Sequence, residues 1–128
     1  MTTNTRMWLG RIFTVVPVLF LVFDGVIHVL NIAPVVAATA QLGWPAVMPI
    51  VGGIELACLA LYVFPRTATL GAILLTGYLG GAVATQVRVG APMFSAALFP
   101  VYVGVLLWAG LYLRNDRVSA LIPIQRQS

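Results

Sequence analysis

The sequence predicts an all-α protein: an integral membrane four-helix bundle with antiparallel neighbours and both termini cytoplasmic. Three observations carry that expectation. Of the 128 residues, 61% are hydrophobic and only 8% are charged, whereas a soluble domain carries roughly 25% charged residues. The apolar runs are long and unbroken rather than alternating at every second residue, which selects helices over a membrane β-barrel. Four such runs are present, each near the ~20 residues that a span requires. They leave room for one transmembrane domain over residues 1–128 and for no separate soluble domain.

The first span is expected over about 12–31. It follows a polar lead-in with Arg6, Arg11 and an amphipathic Trp8, and Pro17 inside it removes a backbone donor and introduces a kink. A cleaved signal peptide is the competing reading, with Ala38-Thr39-Ala40 as the cleavage site. The apolar run is too long for one, and it contains Asp24 and His28. Residues 32–45 form an uncharged loop whose apolar middle lies on the membrane or folds back over the bundle. Trp44 is placed as an interface anchor, and Pro45 suits the first turn of the next helix.

The second span is expected over about 46–64, with Glu55, Cys58 and Tyr62 on one face. Pro65-Arg66-Thr67 is a very short turn, so the second and third spans are antiparallel neighbours. The third span, about 68–87, carries small residues every fourth position (Ala72, Thr76, Gly80, Ala84) beside Gly77-x-x-x-Gly81. Such a stripe lets membrane helices approach closely. Packing inside the same bundle is its expected use, and homo-oligomerisation through it is the alternative. The fourth span, about 93–113, is expected to bend at Pro100 and Gly104, with Trp108 and Tyr112 as an aromatic belt near its end. A short tail follows, with Leu121-Ile122-Pro123-Ile124 at the membrane surface or disordered.

The net charge of +4 comes from seven arginines and no lysine. They sit at the ends of apolar runs, so they read as topology signals rather than as a nucleic-acid surface. Four spans place Arg6, Arg11, Arg66, Arg114, Arg117 and Arg126 on one side and only Arg88 on the other. By the positive-inside rule the arginine-rich side is cytoplasmic, in a bacterial-type plasma membrane. Cys58 is the single cysteine, so no intrachain disulfide or dithiol pair exists. One histidine, one cysteine and two intramembrane acids are few ligands for a metal or haem in one chain, and no metal site is expected.

Helical rise of about 1.5 Å per residue brings Asp24 and His28 of the first span, Glu55 of the second, and Thr85, Gln86 and Arg88 of the third into the outer half of the membrane. Asp24 and His28 are four residues apart, on one face of a helix, with Asn31 continuing the stripe. Acids at that depth are costly and should face the bundle interior. Two carboxylates in a low dielectric must share a proton or be neutralised, by Arg88 or by protonated His28. The candidate site therefore has Asp24, His28 and Glu55 handling protons, with Arg88, Thr76, Tyr78, Gln86 and Asn31 binding substrate. The alternative use of the same residues is a polar network that only fixes helix register.

Three segments carry a family resemblance: Phe23-Asp24-Gly25-Val26-Ile27-His28, Gly52-Gly53-Ile54-Glu55-Leu56, and Thr76 through Arg88. In this order they resemble the DoxX-like family over about 13–113. The resemblance implies a four-helix integral membrane protein. It also implies a link to quinone-dependent sulfur oxidation or to membrane oxidoreductase complexes that handle thiol and oxidative stress. Many members carry a lysine near the position of His28, where this chain departs. No redox centre is evident in the chain, so a redox role requires a quinone, another bound cofactor or a partner subunit. Two functions are thus expected. One is an accessory subunit of a quinone-linked or redox membrane complex, with a site for a small apolar molecule or for protons. The other is a stand-alone membrane enzyme doing acid-base chemistry, of isomerase or hydrolase type, on an apolar substrate.

Overall fold

A computed structural model describes residues 2–121. The expected tail from Ile122 onward, and Arg126, lie outside the described residues. Among those described, all regular structure is helical. The elements are α1 (Thr3–Leu30), α2 (Ala33–Gln41), α3 (Met48–Val63), α4 (Ala68–Arg88), a π-helical turn at Met93–Ala97, α5 (Phe99–Arg114) and α6 (Asp116–Leu121). Three stretches, Thr3–Leu30, Ala68–Arg88 and Met93–Arg114, are long and apolar enough to cross a membrane. α3 is as apolar but has 16 residues. It reaches about 24 Å, short of the ~30 Å hydrocarbon core.

Local sequence explains where the helices begin and end. α1 starts well before the apolar run because Thr2 caps it, its Oγ1 accepting the Thr5 N–H at 3.2 Å. The polar lead-in is therefore the first turns of α1. Pro17 lies inside α1 and is buried, with the helix continuous through it. α1 stops at Asn31, which adopts the left-handed conformation at φ 52°. The apolar middle of the first loop is itself a helix, α2, started by Pro34 in its first turn. α3 begins with Pro49 in its first turn rather than at Pro45. The last span carries an irregularity before Pro100. Met93–Ala97 is a π-helical turn, in which Ala97 N–H bonds to the Pro92 carbonyl and Leu98 N–H to that of Met93. Pro100 then sits harmlessly in the first turn of α5.

α1 packs between α3 and α5, and α4 packs against α3 and α5. The core between them is built from Leu21, Leu59, Leu75, Leu107 and Leu111 around the fully buried Tyr62, whose hydroxyl donates to the Leu107 carbonyl at 2.6 Å. Two glycines let helices touch. A Cβ at Gly71 would collide with the backbone of Leu61 and Tyr62, and one at Gly52 would lie 2.8 Å from the Gly25 carbonyl oxygen. Outward-facing Leu19, Phe23, Ile50 and Phe94 are exposed, Phe94 at 83%. An apolar exterior of this extent belongs against lipid rather than water.

Candidate functional site

The Gly52–Gly25 crossing brings α1 and α3 close enough for their polar residues to meet. Asp24, His28 and Glu55 each offer one ligating atom, and these atoms lie within 4.8 Å of one another. His28 Nδ1 donates to the Asp24 backbone carbonyl at 2.5 Å and lies 3.4 Å from Asp24 Oδ2. A carbonyl oxygen only accepts, so Nδ1 carries a proton. Glu55 is completely buried. Tyr78 of α4 donates its hydroxyl to Glu55 Oε2 at 2.9 Å. Glu55 Oε1 is buried and has no hydrogen-bond partner among the described residues. Buried polar atoms are nearly always paired, so this oxygen is an exception within the fold.

The four side chains line a cavity of about 450 Å³ between α1, α3, α4 and α5. Its apolar wall includes Phe20 and Phe99, stacked edge to face with ring centroids 5.1 Å apart. Leu42 and Trp44, from the segment after α2, line it as well. The volume fits a small organic molecule, and the mix of apolar wall and few polar groups is usual for ligand sites.

The remaining expected site residues divide. Gln86 lines the same cavity. Arg88 does not join the acids. It is the last residue of α4, and its Nη2 donates to the Leu42 carbonyl. The loop after α2 leaves backbone carbonyls without helical partners, and these compete for the guanidinium. Arg88 thus pins the segment that forms one wall of the cavity. Thr76 lies elsewhere: its Oγ1 donates to the Ala72 carbonyl and accepts from Trp108 Nε1, both at 2.7 Å. It lines a separate apolar groove of about 530 Å³ with Leu79, Gly104 and Trp108. Trp108 therefore cross-links α4 and α5. Asn31 ends α1 on the surface and makes no contact with the acids.

Two features had no clear signal in the sequence. Trp44 could be placed at an interface but not on a cavity wall. Gly77 and Gly81, which resemble a packing motif, have nothing within 4 Å of where a Cβ would lie, and both line the cavity. They supply room rather than close helix contact within the chain. A profile of the DoxX-like family matches residues 12–110. No curated protein and no solved structure matches the chain.

Proposed function

The chain belongs to the DoxX-like family of membrane proteins, and from that premise we propose that its cavity holds a small lipid-soluble molecule with a polar head group against Asp24, His28, Glu55 and Tyr78. The supporting observation is Glu55, which lines a largely apolar cavity and whose buried Oε1 has no hydrogen-bond partner among the described residues. A carbonyl-bearing ring compound such as a quinone meets both demands. Its ring packs between Phe20, Phe99 and Trp44, while its oxygens exchange hydrogen bonds and protons with the acid corner. The single Cys58 offers no dithiol pair for redox chemistry. The proposed role is an accessory subunit that binds the quinone for a membrane redox complex.

In the proposed topology α1, α3, α4 and the segment from Met93 to Arg114 are four antiparallel spans of a plasma membrane of bacterial type. Both termini are cytoplasmic. Arg6, Arg11, Arg66, Arg114 and Arg117 would share the cytoplasmic side, and the acid corner would lie in the outer half. Short α3 is accommodated by tilt of its neighbours and by local thinning of the bilayer.

Tryptophan fluorescence tests the ligand. Trp44 lines the cavity, whereas Trp108 lines the separate groove. Adding a short-chain quinone to the protein in nanodiscs should quench emission saturably. Trp44→Phe should remove most of the quenching, and Glu55→Ala should weaken binding about tenfold, the loss of one hydrogen bond donated by the protonated carboxyl group. Quenching that survives Trp44→Phe and disappears in Trp108→Phe would move the ligand to the other groove and overturn the proposal.

A further inference from the structure

The corner of Asp24, His28 and Glu55 sets two carboxyl groups together with no arginine facing them among the described residues. Two carboxylates meet across α1 and α3. Among the described residues the arginine–carboxylate ion pair is Arg6–Asp116, so no arginine neutralises either acid. Arg88, the cation expected to do so, bonds to the Leu42 carbonyl. Glu55 meanwhile keeps one buried oxygen free. From this geometry we propose that Asp24, His28 and Glu55 bind one first-row divalent transition-metal ion.

The charge arithmetic favours it. Two carboxylates, a neutral imidazole and a dication sum to zero, which removes the cost of an ionised acid in a low-dielectric interior. The ligand set suits Zn²⁺, Mn²⁺ or Fe²⁺ rather than a soft ion, because it combines imidazole with carboxylate and no thiolate. Cys58 is not part of the group. The spacing is nearly right. Ligand atoms around a tetrahedral ion at about 2.1 Å stand about 3.4 Å apart, and those here lie within 4.8 Å. Rotation of the carboxylates closes that gap.

The supporting contacts are those that metal sites use. Tyr78 holds Glu55 Oε2 and leaves Oε1 free to ligate. The bond from His28 Nδ1 to the Asp24 carbonyl fixes the tautomer that presents Nε2. Three protein ligands leave a further position open, and all three residues line the cavity. The inference rests on the ligand proposal only for what would occupy that open position. The ion itself is held by side chains.

The test uses the full chain in detergent, stripped with a chelator, reloaded with Zn²⁺ or Mn²⁺ and freed of excess ion. Elemental analysis should find about one ion per chain. Glu55→Gln and His28→Phe should each lower affinity by at least about tenfold, and Glu55→Asp should restore part of it. Circular dichroism and gel filtration identify variants that fold. If a variant does not, Co²⁺ loaded into the unaltered protein decides. A visible spectrum of nitrogen and oxygen ligation supports the site, and a sulfur-to-cobalt charge-transfer band overturns it by implicating Cys58. Folded protein that retains no ion, or a folded Glu55→Gln variant that binds as tightly as the parent, also overturns it. The quinone titration is run separately on stripped protein. Metal without quinone quenching removes the ligand proposal alone, and quenching without metal removes only the metal site.

Discussion

The two ends of the helix assembly solve the same problem in opposite ways. At the end shared by the start of α1 and the end of α5, Arg6, Arg114 and Tyr62 each have a polar partner on another helix. Arg6 Nε and Nη2 donate to the carbonyls of Leu113 and Tyr112 at 3.1 and 3.3 Å. Arg114 donates to Thr14 Oγ1 at 2.9 Å and lies over the Tyr62 ring, and Tyr62 donates to Leu107. The carbonyls that a helix leaves unpaired at its C-terminus are thereby bonded by cations, the charge sign that end favours. At the other end Asp24, His28 and Glu55 gather around an unpaired buried oxygen and a cavity. Both ends are held by glycine-mediated helix crossings, Gly71 against Tyr62 and Gly52 against Gly25. The ends differ in polar saturation rather than in packing. Saturated polar groups hold the fold, and the unsaturated one lies where the proposed ligand would bind.

The largest expected effect tests that division through glycines alone. Gly71→Val drives a branched side chain into the backbone of Leu61 and Tyr62. Backbone does not yield as a side-chain tip does, so the cost should exceed the ~1–3 kcal/mol of ordinary overpacking, with loss of folded protein on gel filtration. Gly81→Leu, at the open end, meets no atom within 4 Å of its Cβ and projects from a cavity-lining position. It should leave thermal stability unchanged or raise it by up to about 1 kcal/mol through helix propensity, while abolishing quinone quenching. If Gly81→Leu unfolds the protein, the open end is structural after all.

A second pair separates the ends by chemistry. Tyr62→Phe removes a fully buried hydroxyl and leaves the Leu107 carbonyl without that donor. It should cost about 1–2 kcal/mol, read as a lower melting temperature with quinone binding intact. Glu55→Gln keeps the shape but removes a buried acid, so stability should hold or improve while metal and quinone binding fall. Such a trade of function for stability is usual where a site is strained or unsatisfied. Equal loss of stability in both variants would make the acid corner a register-fixing network.

These contrasts also show what the amino-acid sequence can and cannot convey. The helices were legible because long apolar runs bounded by proline, glycine and arginine admit little else. The meeting of Asp24, His28 and Glu55 was legible because i, i+4 spacing and helical rise fix both face and depth. Rotation of each helix about its axis was not. Spans that are apolar all round carry no stripe to say which side faces a neighbour. So Gly77 and Gly81 read as packing residues when they line a cavity, and Thr76 read as part of the site when it braces Trp108. The ligand count in the sequence argued against a metal, and what the structure adds is the distance: one atom from each of Asp24, His28 and Glu55 lies within 4.8 Å of the others. Arg88 illustrates a different limit. A long side chain at a helix end can turn inward to acids or back to a loop, and the unpaired carbonyl of Leu42 decides the matter.

The smallest expected effect follows from that arginine. The bond from Arg88 to Leu42 is exposed, so breaking it removes little stability, within about 0.5 kcal/mol. It does tether the loop that carries Leu42 and Trp44 into the cavity wall. Arg88→Gln should therefore leave the melting temperature and the metal stoichiometry unchanged. It should instead speed quinone release in stopped-flow fluorescence by about two- to fivefold, since changes at a binding site act mostly through the off-rate. Loss of metal binding in this variant would place Arg88 functionally with the acids, and the open end would then be neutralised from within the chain. An unchanged off-rate would mean that the loop stays in place without its tether, and that the helix-borne side chains alone retain the ligand.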